Sequence, residues 1–440
     1  KKICKKAAKD LNVNLKKEPY KSRLKYEIDL IKEKGYQDYF LVVADAINYA
    51  KQHMLVGPGR GSSGGSLVCF LMGITTIDPI KYDLIFERFI DINRSDLPDI
   101  DCDFPKDKRG MVIKHIKKKY GDENVTQIAN ILRLRGKSGL NRFAKSLGIP
   151  EHHLDAVKDV LIEREPGDAG FDECIKDTLT TTDAGRELMQ LHPALEIVTR
   201  AEGHAQTSGT HAAGVLVGAE PINKYCGINT RDGGRVAMID MREAEGLNLL
   251  KIDALGLRNL TILAEVCDRV NMPYRALYSL QDGDEKAYQL INDGRFAGIF
   301  QFEGQATRKL ASKMMIESIE DLAALNAASR PGALMSGGAN RYVNRKNESE
   351  DIEYLADHKL MKKITKPTAG VILYQEQVMQ ILREVGQLPW DQVIFLRKQM
   401  AKTLGQESFG KYRKAFLRGA KKNDLSKVEA GEVWKNLVTF

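Results

Sequence analysis

The spacing of hydrophobic positions along the 440-residue chain changes several times, and each change marks a segment. Between residues 22 and 53, Tyr39, Phe40, Val43, Ala46, Ile47 and Ala50 recur every three or four residues, which predicts helix. A glycine-rich turn over 57–65 follows, and the apolar run from Leu67 to Leu71 starts another helix. Residues 82–89, which contain Asp83, also read as helical. In Leu97-Pro98-Asp99-Ile100-Asp101-Cys102-Asp103-Phe104, carboxylates alternate with apolar residues, which is the period of a strand over Asp99 to Phe104. Residues 108–120 return to a helical pattern with a basic face.

From about 131 to 208 the pattern becomes charged and polar but stays helical, with breakers at Gly148-Ile149-Pro150 and Pro166-Gly167. This predicts an inserted helical subdomain. Residues 211–218 and 246–256 are apolar enough to read as buried strands. Beyond 258 the pattern is mainly helical, with turns at Arg330-Pro331-Gly332 and Gly337-Gly338. There is no internal repeat and no low-complexity tract.

Composition narrows the class. The chain is long enough for two or three domains, and its 43% hydrophobic and 29% charged residues are ordinary for a globular protein. No apolar run reaches the ~20 residues that span a bilayer. The start, KKICKKAAKD, shows no signal peptide and no initiator Met, which suggests a piece of a longer or processed protein. The six cysteines include no Cys-x-x-Cys and the eight histidines no His-x-x-x-His. That argues against a zinc site or a disulfide scaffold and favours a reducing, cytoplasmic setting.

The net charge of +8 is moderate, but its distribution is informative. Basic patches lie at 114–119 (with Lys117 and Lys118), at Arg133, Arg135, Lys137, Arg142 and Lys145, and at Arg397, Lys398 and Lys402 with 411–422. Each alone reads as a solvated helix face. Together, flanking an acidic segment, they fit a polyanionic substrate held near metal.

Two sequence features carry chemistry. On a strand, Asp99, Asp101 and Asp103 share one face, with Ile100, Cys102 and Phe104 on the other. Like charges so close repel, and such a cluster suits Mg²⁺, which takes one or two carboxylates plus substrate phosphates. The plain alternative is an edge strand charged against aggregation. The second feature is Gly57-Pro58-Gly59-Arg60-Gly61-Ser62-Ser63-Gly64-Gly65-Ser66. Glycines allow close backbone approach, Arg60 adds charge, Ser62 a hydroxyl, and a following helix its positive N-terminus, which together make a triphosphate cradle. A flexible glycine loop is the alternative. The Walker pattern is absent. A dinucleotide fold would need a preceding strand and an acidic residue at a strand end about 20 positions on, whereas a long helix and the short segment 54–56 precede the turn and Asp83 lies in a helical stretch.

Other positions are more equivocal. Lys251 and Asp253 share a face in Leu249-Leu250-Lys251-Ile252-Asp253, either as an internal ion pair or with Asp253 joining the acidic cluster. His211 reads first as a hinge or core histidine. Arg88 either pairs with a neighbouring acid or reaches a phosphate. The segment 374–379 has an apolar face with Ile372 and Leu382 and reads as core. Arg397 and Lys402 face either a phosphate backbone or solvent.

Taken in order, the motifs resemble the C family of replicative polymerases, the family of the bacterial DNA polymerase III α subunit. The matching segments are GYQDYFLVVADAINYAK (35–51), VGPGRGSSGGSLV (56–68), DPIKYDLIFERF (78–89), LPDIDCDFP (97–105), THAAGVLV (210–217), LLKIDALGLRNLTI (249–262), GIFQFEG (298–304), SRPGALMSG (329–337) and GVILYQEQVMQI (370–381). The resemblance implies an α+β fold: a polymerase-beta-like nucleotidyltransferase palm with a mixed sheet, a helical thumb and mainly helical fingers. The palm would take 1–130 and 209–257, the thumb 131–208 and the fingers 258–440.

It also implies template-directed DNA synthesis, with two Mg²⁺ ions (or Mn²⁺) on Asp99, Asp101 and Asp253. Nucleotide contacts would fall on Arg60, Gly61, Ser62, Arg88, Lys251, Arg397 and Lys402, and DNA contacts on Lys117, Lys118, Arg133, Arg135 and Lys137. Partners would be primer-template DNA and a dNTP, with a sliding clamp and other replisome proteins in a full-length protein. Three features depart from the family. Residues 133–136 lack its Thr-Phe-Gly-Thr run, 396–403 replace a Gly-Lys-Lys, and the phosphoesterase-like domain, the later finger motif and the C-terminal modules are missing. The expectation is a core fragment or a reduced, phage-encoded relative. The rival readings are a template-independent nucleotidyltransferase and a catalytically silent DNA-binding fragment.

Overall fold

A computed structural model describes the chain apart from residues 91–96, 165–170, 232, 281–282, 331–332, 335–336, 401–409 and 440, and the side chains of 242, 398–400, 411 and 439. The protein is mixed α+β, with six strands in a mixed sheet and many helices. The strands are β1 (Asp101–Pro105), β2 (Val125–Arg133), β3 (Ala205–Val217), β4 (Ile228–Arg231), β5 (Gly234–Ala237) and β6 (Leu250–Leu257). The chain divides into two units. One comprises 1–119, 252–401 and 405–440, the other 120–251 with 402–404.

In the first unit the helical reading of 22–53 resolves into two helices, Tyr20–Glu33 and Gln37–His53. They break at Gly35, whose φ of +73° is readily adopted only by glycine. The second helix buries Tyr39, Phe40, Val43, Ala46, Ile47 and Ala50, the residues its periodicity picked out. Residues 82–89 are not a helix. Asp83 takes a φ of +49° and Ile85 is extended, so only the tight turn Phe86–Arg88 forms. The acidic strand starts two residues later than its alternation suggests, at Asp101. It is followed by the expected basic helix, Arg109–Tyr120. The part of this unit beyond 258 is helical, with two cores, one around Phe302, Leu325 and Tyr342 and one around Met379, Leu382, Phe416 and Val433. Gly337 (φ +72°) opens the helix Gly338–Lys346, while Pro331 and Gly332 lie outside the described residues.

In the second unit the helical insert is real but shorter than 131–208. Its helices run from Gly136 to Ala201 around Leu140, Leu154, Ile175, Leu195 and Val198. Its two ends instead continue β2 and β3, which pair antiparallel from Val125↔Val217 to Arg133↔Ala205. β2 was not read from sequence because a register shift between Gln127 and Ala129 breaks its alternation. β5 pairs parallel with β2 and antiparallel with β4. The stretch 246–256 is not strand throughout, since the helix Met241–Gly246 and Asn248 at φ +53° precede β6. Gly148 (φ +71°) follows the helix Gly136–Ser146 as expected, and Pro166-Gly167 lies outside the described residues. Among the described residues no helix is long and apolar enough to cross a membrane.

Candidate active site

The acidic residues meet through strand register. β1 and β6 run parallel, and Asp101 is paired directly with Asp253. Neighbouring strands lie about 4.8 Å apart, and registered partners point to the same face, so two carboxylates face one side together. The opposite face is apolar, with Ile100, Cys102, Phe104, Ile252 and Ala254 all buried. Asp99 is exposed and stands just before β1. The buried Tyr39 hydroxyl accepts a hydrogen bond from the Ile100 N–H at 3.1 Å, which fixes the backbone between Asp99 and Asp101.

Burial raises the pKa of Asp101, the charges of Asp253 and then Asp99 raise it further, and Arg60 opposes them. Among the described residues no group of three His, Cys, Asp or Glu side chains is gathered closely enough to hold a metal ion. The acidic positions are therefore a registered pair with a third carboxylate at the strand entrance.

Asp103 is only 7% exposed; Arg60 Nε donates to its Oδ2 at 3.1 Å, and Nη2 forms an ion pair with Oδ1 at 3.1 Å. The Arg60 guanidinium also lies 5.5 Å from the ring centre of Phe300. A phosphate at Arg60 would thus share that charge with Asp103.

The glycine segment is stitched to the same strand. The Gly57 N–H donates to the Asp103 carbonyl at 2.9 Å, and a Cβ at Gly57 would meet Asp103 Cβ at 2.7 Å. At Gly61 (φ +66°) an added Cβ would stand 3.3 Å from Asp101 Oδ2, so the turn passes directly beside that carboxylate. Residues Gly61–Gly65 form one 3₁₀ turn, in which Ser62 is half-buried.

The helix after the turn, Leu67–Leu71, does not offer its N-terminus to a ligand. The Leu67 and Val68 N–H groups donate to Glu27 at 2.9 Å each, and the Cys69 N–H donates to Ser66 Oγ at 3.1 Å. The protein's own carboxylate occupies the position expected of a phosphate. The signal for this was a Glu inside the apolar stripe Leu24, Ile28 and Ile31.

The basic positions differ in their surroundings. Arg88 pairs with Glu376, and Arg397 Nη1 donates to Gln375 Oε1 at 3.2 Å, so both reach the start of the helix Gln375–Gln380. The turn Phe86–Arg88 packs on Gly61–Gly65 and on the helix Trp390–Met400. The glycine turn, Arg88 and Arg397 are therefore brought together. Val378, Met379 and Leu382 form the expected core face. Lys251 is buried, with Nζ 3.7 Å from Met241 Sδ. Lys402 lies outside the described residues.

His211 Nδ1 accepts from the Ala213 and Gly214 N–H groups at 3.2 and 2.8 Å, which favours its structural reading. Lys117 is half-buried and Lys118 exposed, next to Lys119, which pairs with Asp45. Arg133 is exposed and donates to the Gly203 carbonyl at 2.9 Å. Arg135 pairs with Asp172 over the ring of Phe171, and Lys137 is exposed.

Comparison with known proteins places the chain in a family. A profile of the bacterial DNA polymerase III alpha NTPase domain matches residues 1–256, and one of the bacterial DNA polymerase III alpha subunit finger domain matches 259–424. The chain is similar to DNA polymerase III subunit alpha of Staphylococcus epidermidis, 33% identical over 428 residues, covering 96% of this chain and 39% of that protein. It is also similar to DNA polymerase III subunit alpha of Staphylococcus aureus, 35% identical over 420 residues, covering 93% and 38% respectively. The chain thus spans less than two fifths of the length of these relatives.

Proposed function

The chain belongs to the bacterial DNA polymerase III alpha family, and from that membership we propose that it carries out template-directed transfer of a nucleotide from a dNTP to a primer 3′-hydroxyl. The observation that carries the proposal is the parallel register of Asp101 with Asp253, beside a glycine turn at which an added Cβ would stand 3.3 Å from Asp101 Oδ2.

The donor set suits a hard divalent cation, because the charges raising the Asp101 pKa are those of other carboxylates. Asp101 and Asp253, with Asp99 drawn in from the strand entrance when the ions bind, would hold two Mg²⁺ or Mn²⁺ ions, which would make the 3′-hydroxyl a better nucleophile and offset charge on the leaving pyrophosphate. The chain's own residues do the rest. Gly61 and Ser62 position the triphosphate beside the acidic pair. Arg88 and Arg397, held at one helix start, add positive charge beside the glycine turn, and Arg60 steadies Asp103. The family resemblance adds Lys251 and Lys402 as further nucleotide-contact candidates.

The domain roles follow the family: a nucleotidyltransferase palm (1–130 and 209–257), a thumb (131–208) and fingers (258–440). Lys117, Lys118, Arg133, Arg135 and Lys137 grip the duplex backbone, so base pairing supplies the sequence information. A sliding clamp and other replisome proteins are partners of the longer protein.

Primer extension by the 440-residue chain, with and without template and with and without Mg²⁺, tests the reading. Extension that requires both supports it. Extension without a template would assign the chain to the template-independent enzymes instead, and salt-sensitive DNA binding without incorporation would make it a silent fragment.

A further inference from the structure

We propose that Arg23 and Glu27 are positioning residues for the incoming nucleotide, holding the glycine turn and the Arg88 turn in one fixed mutual arrangement. The proposal rests on the nucleotidyl-transfer reading above and names the residues that set its nucleotide site.

Glu27 is fully buried on the helix Tyr20–Glu33. Its carboxylate accepts from Ser66 Oγ at 2.8 Å and from the Leu67 and Val68 N–H groups, and so seizes the chain immediately after the glycine turn. Arg23, one helical turn earlier, bonds Glu27 through Nε at 2.7 Å. Its Nη2 donates to two carbonyls from separate segments, Gly65 at 2.6 Å and Leu84 at 3.0 Å. Gly65 ends the 3₁₀ turn that carries Ser62, and Leu84 leads into the turn that carries Arg88.

The guanidinium also lies 5.7 Å from the ring centre of Phe86, within that second turn. The two segments already touch closely, since a Cβ at Gly65 would strike the Ile85 carbonyl at 2.7 Å. A simple helix cap would need Glu27 alone. Arg23 adds a bridge between the two segments, and its planar fork can reach three oxygens at once where an ammonium cannot reproduce that geometry.

The test is Arg23→Lys in the full chain, read in three ways: the KM for dATP in primer extension, the affinity for dATP by calorimetry with primer-template DNA present, and the melting temperature. The expected result is a KM and a dissociation constant for dATP raised about tenfold, roughly one charge-assisted hydrogen bond, with kcat and primer-template affinity within about twofold. A purely structural role would lower the melting temperature while leaving KM and dATP affinity of the folded enzyme unchanged, and that outcome overturns the proposal. If the unaltered chain binds dATP but extends no primer, the polymerase reading fails while the variant's affinity still decides the positioning role. If the unaltered chain binds no dATP, both fail.

Discussion

Two acidic corners of this molecule are built in opposite ways. Glu27 is fully buried, yet an arginine, a hydroxyl and two backbone N–H groups converge on it. Asp101 is less buried, yet the strongest charges acting on it belong to Asp253 and Asp99. The first arrangement closes a carboxylate into the fold. The second holds carboxylates against each other, which costs stability. The donors around Glu27 make it an architectural part, whereas the crowded acids are where the proposed cation would relieve repulsion.

The largest expected effect separates the two corners by activity. Asp101→Ala or Asp253→Asn should lower nucleotide addition at least about a thousandfold, in keeping with the loss of electrostatic stabilisation at a reacting centre, and leave primer-template binding nearly intact in a filter or anisotropy assay. Near-normal extension by either variant would remove the acidic pair from the chemistry.

Next in size is Glu27→Ala, which removes the partner of Arg23 Nε, of the Ser66 hydroxyl and of two amide donors. It should cost about 3–5 kcal/mol of folding stability in denaturant titration. A loss below about 1 kcal/mol would mean that Glu27 is not the closed corner described here.

Third, millimolar Mg²⁺ should raise the melting temperature of the unaltered chain and not that of Asp101→Asn, because a ligand that binds only the native state stabilises it. Equal shifts in both would dissociate the acidic pair from the metal.

A smaller effect concerns pH without metal. The Asp101 pKa is raised in the folded state, by burial first and by Asp253 and Asp99 next. Between the ordinary carboxylate pKa and the raised one, the native state binds more protons than the unfolded state, so stability falls as pH rises through that window and stays lower above it. Asp101→Asn should therefore be the more stable protein at pH 7 in a chelator, and the difference should vanish below the window. The smallest effect is expected of Lys118→Ala, which should reduce the salt slope of duplex binding by about one counterion and leave nucleotide affinity alone.

What could be read from sequence divides along similar lines. The face shared by Asp101 and Asp103 follows from a period of two, and the core faces of Gln37–His53 and of Val378, Met379 and Leu382 follow from a period near four, so both were legible. The partnership of Asp101 with Asp253 is long-range, so the residues alone left it as one of two readings of Asp253 and the family resemblance favoured it. The Glu27 cap went unread because it joins residues 39 to 41 positions apart through side-chain oxygens. Residues 82–89 misled because their apolar spacing is helical while Asp83 turns into the left-handed region. β2 was hidden by its own bulge. Tyr39 belongs to the helical spacing of 22–53, but the single polar atom that anchors Ile100 leaves no trace in periodicity.

The register of β1 with β6 has a consequence for how the protein is made. Its two acidic partners are encoded on either side of residues 120–251, so a ribosome must finish that stretch before the later aspartate emerges. Half-synthesised chains would carry the glycine turn and the first strand but no assembled acidic pair. Assembly of the acidic pair therefore waits on a long-range contact, and a chain that stalls before Asp253 lacks it.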